Sequence, residues 1–461
     1  MKPYDVIIIG SGQAGSPLAR KMAKAGKKVA IVEKRWVGGT CVNDGCTPTK
    51  AMVASARAAY LAGRCNNLGV HIDGYRVDMP QIKKRKDDIV MHSRSGNQKS
   101  LEEDENIDLL FGEASFTSPK SVTVKLNNGG NEELQAEQIF INAGTQTVVP
   151  DIEGLKDIDY LTSTSILELE TVPQHILVLG GNYIGLEFSQ MFRRFGSQIT
   201  LLERGERILS HEDDDVAHEM TGILEEEGIA IHARAQATKF EKDNDGKILV
   251  TVNLNGRTEQ LECSHVLVAV GRSPQSKALN LPAAGVEVDD HGYIKVDGKL
   301  QTNVPGIYAL GDIKGGPAFT HIAYNDFTIV WRNLLQGEDL STQGRPVPYC
   351  MFTDPQLGRV GLSENEAKKQ GLKYEVAILK MDSVARAVEV GETRGLMKAV
   401  VNPDTKEILG VAIMAEEGGE IMSVLQMAME GGITYDRIRY YIFAHPTYSE
   451  SLNNLFMKLE G

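Results

Sequence analysis

The chain has 461 residues, 42% hydrophobic and 24% charged, with a net charge of −13 and five cysteines. The length allows about three domains and the mixture is that of a folded soluble protein. The acidic balance speaks against a nucleic-acid or anionic-membrane surface, and no apolar run approaches membrane-spanning length. An odd cysteine count, with no signal-peptide pattern after Met1-Lys2-Pro3-Tyr4, points to a reducing, cytoplasmic compartment.

The apolar run Val6-Ile7-Ile8-Ile9 leads into Gly10-Ser11-Gly12-Gln13-Ala14-Gly15 and an Ala-rich helix. A second strand, Lys28 to Val32, ends at Glu33. Gly10 allows a tight turn, Gly12 lets the backbone approach a pyrophosphate at the helix N-terminus, and Gly15 lets helix pack on strand. Glu33 is placed for a ribose hydroxyl. Next comes Gly38-Gly39-Thr40-Cys41-Val42-Asn43-Asp44-Gly45-Cys46-Thr47-Pro48-Thr49-Lys50. Closing so short a loop adds little through chain entropy, and Cys65 and His71 lack ligand-like spacing. Cys41 and Cys46 therefore read as a redox pair beside a bound nucleotide, with no metal site. The basic run Lys83-Lys84-Arg85-Lys86 reads as a solvated helix face.

The nucleotide pattern recurs. Ile176 to Leu179 leads into Gly180-Gly181-Asn182-Tyr183-Ile184-Gly185, a helix, and a strand ending at Glu203. First glycine and acid are 23 residues apart in both copies, 10 to 33 and 180 to 203. Each copy closes on an apolar run and glycine, at Ala143-Gly144 and at Val270-Gly271. The first copy is about 43 residues longer, and the cysteines begin that excess. Two nucleotide sites in one chain imply relay between two cofactors. Asn182 replaces the middle glycine of the second copy, and Asn tolerates unusual backbone angles. Glu203 favours a free ribose hydroxyl, whereas Arg204 and Arg207 are placed either for a 2′-phosphate or for a solvated loop, which leaves the coenzyme preference open.

Gly306 to Asp312 is a further buried strand ending in Gly-Asp, followed by a helix through His321 and Trp331. It returns to the first sheet, so the second nucleotide-binding unit is inserted in the first. Gly344 to Pro348 reads as a linker. From Tyr349, strands (Leu396 to Val401, Ile408 to Met414) mix with helices (Glu364 to Gln370, Glu420 to Met429) and no nucleotide signature remains, which gives an α+β third domain. The expected fold is α/β with two Rossmann-like domains. Residues 1–147 and 272–345 form the first, residues 148–271 the second, and residues 346–461 an interface domain.

Together these residues resemble the class I pyridine nucleotide-disulfide oxidoreductases. The likeness is strongest over Gly38 to Lys50, with support from Tyr308 to Asp312, Phe352-Thr353-Asp354-Pro355, Val360 to Glu364 and Ala444 to Glu450. Within the family the chain looks most like the mercuric-reductase-like and reactive-chlorine-resistance flavoproteins, on Phe140 to Pro150 and Ser449 to Phe456. The resemblance implies FAD in the first site, NAD(P)H in the second, and a homodimer held by roughly the last 110 residues.

It also implies roles. Asp312 matches the acid on the ribityl chain, and Lys50 the lysine near the reactive end of the flavin ring, paired with Glu187. Tyr183 matches the ring covering the empty nicotinamide pocket. Gly39, Thr40, Lys34, Ala114, Gly311, Ala318 and Thr320 match flavin-contacting positions. Cys46 lies against the flavin, where a helix N-terminus and Lys50 favour thiolate. Cys41 attacks the acceptor. His445, oriented by Glu450, shuttles protons from the other subunit.

The acceptor is a small-molecule disulfide or a soft metal ion. Mercuric reductases carry a second cysteine pair near the C-terminus, whereas here no cysteine follows Cys350. A dihydrolipoyl dehydrogenase, or a flavin redox sensor that does not turn over, are the alternatives. Asp44 and Thr47 stand where the family has apolar residues and are expected to change the electrostatics beside the cysteines.

Overall fold

The structure is a computed structural model and describes residues 1–243 and 246–459. The chain separates into two units, one of Met1–Met52, Pro80–Val148 and Gly271–Arg345, the other of Val53–Met79, Val149–Val270 and Pro346–Gly461.

In the first unit Val6–Ile9 is buried at every residue and runs parallel to Val29–Glu33 on one side and Gln138–Ile141 on the other. Ile307–Ala309 adds a further parallel strand beyond Gln138–Ile141, so the Gly306 to Asp312 run does return to the first sheet. The period of two splits these side chains between two cores. Ile7, Ile9 and Ile141 face Phe116 and Val124, while Val6, Ile8 and Phe140 face Leu18, Met22 and Phe327. Both faces are covered, which is why these strands are apolar throughout. Ile107–Ser118 pairs parallel with Val29–Glu33 as far as Phe111, then turns antiparallel to Ser121–Leu126 from Gly112.

The second unit repeats the design. Its parallel sheet has the order Ile229–His232, Gln198–Leu202, His175–Leu179, His265–Val268. A meander of Ala235–Lys242, Ile248–Leu254 and Arg257–Cys263 flanks it. The C-terminal segment builds a five-stranded antiparallel sheet under the helix Gly418–Glu430. The expected helices are present at Glu364–Lys369 and Thr320–Gln336. Among the described residues no helix is long and apolar enough to cross a membrane.

The basic run departs from its reading. It lies on the helix Met79–Glu102, and Lys84 and Arg85 are exposed, but Lys86 is buried and paired with Asp87. A long aliphatic stem can be covered while its ammonium keeps a carboxylate.

Candidate active site

The two glycine loops can be overlaid contact for contact. A Cβ on Gly10 would come within 2.3 Å of the Asn142 carbonyl oxygen, and one on Gly180 within 2.5 Å of that of Ala269. Gly15 and Gly185 each abut the carbonyl oxygen of their own first glycine, at 2.0 Å from an added Cβ. Glu33 accepts hydrogen bonds from the backbone N–H of Ser11 and of Arg35 (3.0 and 2.9 Å); Glu203 accepts from Gly181 and Gly205 (2.7 and 2.6 Å). The acid therefore closes the loop it follows, and the equal spacing in sequence is an equal geometry.

In the first unit the glycines leave no room for a side chain where backbone segments meet. A Cβ on Gly39 would lie 2.7 Å from the Gly12 Cα, and one on Gly12 would lie 2.9 Å from Asn142 Oδ1. Asn142 accepts from the Gly15 N–H and donates to the Leu310 carbonyl, tying glycine loop, strand end and Gly311 together. Gly311 donates its N–H to fully buried Asp326, which also meets Lys314 and Arg345. Asp312 accepts from Thr145 Oγ1 at 3.4 Å, and burial raises its carboxyl above the usual range. Ala114 is buried on Ile107–Ser118, and Gly144 takes φ +68°. The Ala143 carbonyl accepts from Gln275. Lys34, Thr40 and Ala318 are exposed. Amides at a helix N-terminus, a glycine cradle, an acid for a diol and a half-covered second acid suit the pyrophosphate, ribose and polyol of FAD. The residues fit that group.

Cys41 lies in the short helix Gly39–Asn43 and Cys46 opens the helix Cys46–Arg64. Gly45 makes the reversal possible, since a Cβ there would come within 2.9 Å of the Thr40 carbonyl oxygen. Asn43 is buried and pins the loop, donating to the Val37 and Gly39 carbonyls and accepting from Arg94 Nε at 2.7 Å. Asp44, expected to change the electrostatics beside the cysteines, pairs with Arg35. Both cysteines are free thiols in contact, and Cys46 Sγ sits 3.2 Å from Thr320 Oγ1. The hydrogen bond from Cys41, with help from Thr320 and Lys50, brings Cys46 down to about 6. The same hydrogen bond, then burial, pushes Cys41 far up. The reduced pair is one thiolate and one thiol. Lys50 stands one helical turn after Cys46, on the same face.

This split makes a prediction. Cys46 should alkylate with iodoacetamide along a titration curve centred near pH 6. Cys41→Ala removes the largest cause of the shift, so the midpoint should rise by at least about one unit. An unchanged midpoint would assign the shift to Lys50 and the helix instead.

In the second unit Asn182 has ordinary extended backbone, φ −111°, so no unusual angle explains it. It caps the helix Tyr183–Phe195, its Oδ1 accepting from the Tyr183 N–H at 2.9 Å. Tyr183 and Ile184 are half-buried at the loop, and Val270 is 45% exposed. Gly271, which belongs to the first unit, takes φ +138°. Arg207 is not available for a phosphate. Its guanidinium donates to the Leu209 and Glu212 carbonyls and meets Asp214. Arg204 is exposed. Buried Glu187 accepts from the Phe352 N–H at 2.8 Å. His445 is 68% exposed, and its Nδ1 lies 2.8 and 3.1 Å from the two oxygens of Glu450. The residues not foreseen are Asn43, Asn142 and Asp326. The one signal was an Asn inside the apolar run Phe140 to Ala143.

Two duplicated nucleotide loops, with a dithiol at the edge of the first, match a known pair of families. Residues 4–326 match the pyridine nucleotide-disulphide oxidoreductase family, and residues 347–456 its dimerisation domain. The chain belongs to the pyridine nucleotide-disulphide oxidoreductases. It is 37% identical over 460 residues to the probable pyridine nucleotide-disulfide oxidoreductase RclA of Escherichia coli K12, covering 99% of both. It is 36% identical over 449 residues to a mercuric reductase of Bacillus cereus, covering 97% of this chain and 70% of that one. It is 33% identical to a dihydrolipoyl dehydrogenase of Thermus scotoductus, over 98% of this chain and 96% of the other. A solved Cu(II) complex of the HOCl-induced flavoprotein disulfide reductase RclA from E. coli superposes with a TM-score of 0.91 at 36% identity, covering all of both chains. The oxidoreductase is therefore an FAD- and NAD(P)H-dependent enzyme of α/β architecture, as its sequence implied.

Proposed function

We propose that this oxidoreductase reduces a small-molecule disulfide through Cys41 and Cys46, working as a homodimer in the cytoplasm. One observation carries the reading: two free thiols touch at the start of the helix Cys46–Arg64, Cys46 beside Thr320, with the Cys46 thiol lowered and the Cys41 thiol raised by their mutual hydrogen bond. FAD, when bound, supplies the dithiol with two electrons taken from the reduced nicotinamide. Gly10, Gly12, Gly15, Glu33, Gly39 and Asp312 hold it, and Gly180 to Gly185 with Glu203 hold the coenzyme.

Cys41, pushed up by its neighbour, must lose its proton to attack. His445 takes that proton at Nε2, since Nδ1 faces Glu450. The new Cys41–acceptor bond expels one thiolate, which recovers the proton from His445. The Cys46 thiolate then attacks Cys41 Sγ, closing the Cys41–Cys46 disulfide and expelling the second thiolate, which takes a proton from water. Two electrons and two protons leave with two thiols. Family resemblance supports a dithiol and a His–Glu pair drawn from different subunits. It also supports a three-domain division at residues 147/148, 271/272 and 345/346.

A second reading, reduction of a soft metal ion, is supported by two adjacent sulfur donors and by the mercuric reductases among the relatives. Pre-reduced protein mixed with lipoamide, glutathione disulfide, Hg(II) or Cu(II), in the presence of excess NADH or NADPH, separates the two. Multiple turnovers with a disulfide are expected; turnover with metal ions alone would replace the first reading by the second.

The NADH reading rests on Glu203, whose carboxylate repels a 2′-phosphate, and on Arg207, which is committed to its own loop and leaves exposed Arg204 as the other candidate cation. KM for NADPH should exceed that for NADH by at least about tenfold. Glu203→Ala should narrow the gap, and equal KM values in the parent would refute the assignment.

A further inference from the structure

Glu212 is 1% exposed, and among the described residues no hydrogen bond reaches its Oε2. Its Oε1 accepts two phenol hydroxyls, Tyr349 at 2.6 Å and Tyr183 at 3.1 Å. Behind it stands Arg359, 4% exposed, with Nε 3.5 Å from Oε2 and an Nη2 that likewise has no hydrogen bond among the described residues. Tyr349 and Arg359 are directly opposite in the hairpin of Tyr349–Met351 and Gln356–Gly361, so strand register presents both to the carboxylate. The two tyrosine rings lie 5.4 Å apart, tilted by 36°.

The loop that carries Glu212 is fixed at both ends. Leu209, at φ +50°, donates its N–H to the Gly181 carbonyl, and Arg207 donates to the Glu212 carbonyl. Asp213 accepts from the N–H groups of Glu364 and Asn365 and pairs with buried Lys398. A carboxylate buried this deeply is costly unless it is paired and hydrogen-bonded, and here the two phenols and Arg359 meet it. Tyr183 is the first residue of the helix that follows the coenzyme's glycine loop.

We infer that Glu212 is a positioning residue that latches Tyr183 in the closed position over the nicotinamide pocket, so coenzyme binding must break the Tyr183–Glu212 hydrogen bond. The inference rests on the reading that Tyr183 covers that pocket. The two bonds are unequal. The shorter one, from Tyr349, stays, and the longer one, from Tyr183, is the one released. Because both share Oε1, the carboxylate keeps a donor when Tyr183 leaves, and opening does not strand a buried charge. Burial, then the Glu212 charge, raises both phenols well above their usual range, so both remain donors across the working pH.

The test is the affinity of the holoenzyme for NAD⁺, measured by calorimetry, alongside KM and kcat for NADH. Apparent affinity falls in proportion to the closed fraction. Tyr183→Phe keeps the ring and loses the latch, so NAD⁺ should bind about 3- to 10-fold more tightly. Glu212→Gln should act in the same direction, and the double variant should go no further than the stronger single one. Tyr349→Phe leaves Tyr183 as the sole phenol on Oε1, so it should weaken NAD⁺ binding. That opposite sign is not expected of a merely structural role.

Additive effects of Tyr183→Phe and Glu212→Gln, or a Tyr349→Phe shift toward tighter binding, would overturn the latch. If Glu212→Gln fails to fold, the two Phe variants decide alone. Tyr183→Ala separates the two levels. If it changes affinity while the hydroxyl and Glu212 variants do not, the latch alone is wrong. If it changes nothing, Tyr183 does not cover the pocket and both readings fall.

Discussion

Cys46→Ser is expected to retain FAD and to lose disulfide reduction by on the order of 10⁴-fold, about 5 kcal/mol of transition-state stabilisation. The serine hydroxyl can neither hold the thiolate charge nor close the internal disulfide, so electrons stop before Cys41. FAD should remain because the cradle is built elsewhere, from Gly10, Gly12, Gly39 and the Asn142 and Asp326 tethers. The substitution has a second consequence at Cys41. Its thiol is held high chiefly by its hydrogen bond to Cys46. Without that partner Cys41 should become more acidic and alkylate faster near neutral pH, although the enzyme is inactive. Flavin absorbance, steady-state rates and iodoacetamide labelling read the three effects separately. A variant within about tenfold of the parent rate, or a colourless one, would remove Cys46 from its assigned place.

What was legible in the sequence was whatever the backbone decides locally. The glycine loops, the acids 23 residues on and the apolar strands were readable because each has a spacing fixed by helix, strand or turn. The contacts that organise the site were hidden because they join distant segments. Asn142 reaches Gly15 across 127 positions, and Gly311 reaches Asp326 across 15. Side-chain direction was equally opaque. Arg207 reads either as a phosphate ligand, from its nearness to Glu203, or as a solvated loop residue, yet its fork is spent on two loop carbonyls. Asp44 reads as a charge that changes the electrostatics beside the cysteines, and the sequence does not show that Arg35 meets it. Lys86 reads as surface because its neighbours are, yet the helix turns it inward. Glu212 gave no signal at all in His211-Glu212-Asp213-Asp214-Asp215, where the two buried acids, Glu212 and Asp213, are indistinguishable from the two that follow.

His445→Ala should slow disulfide turnover by about 10²- to 10⁴-fold, the range that a positioned proton carrier contributes. The loss should depend on the acceptor. A disulfide acceptor demands a proton at the departing sulfur and a base at Cys41, whose thiol is pushed far above neutrality. A soft metal ion binds sulfur and accepts electrons without a departing thiol, so only the deprotonation of Cys41 remains, and the metal itself promotes that by lowering the thiol's pKa. The ratio of disulfide to metal-ion rates should therefore fall in His445→Ala. Glu450→Gln should lower it in the same direction but less, because the imidazole survives while losing the carboxylate that orients Nδ1. Rates measured with lipoamide and with Cu(II) on the same preparations give that ratio directly. Equal losses with both acceptors would mean that His445 supports the architecture of the site without carrying the proton, and no loss with either would place the shuttle on another group.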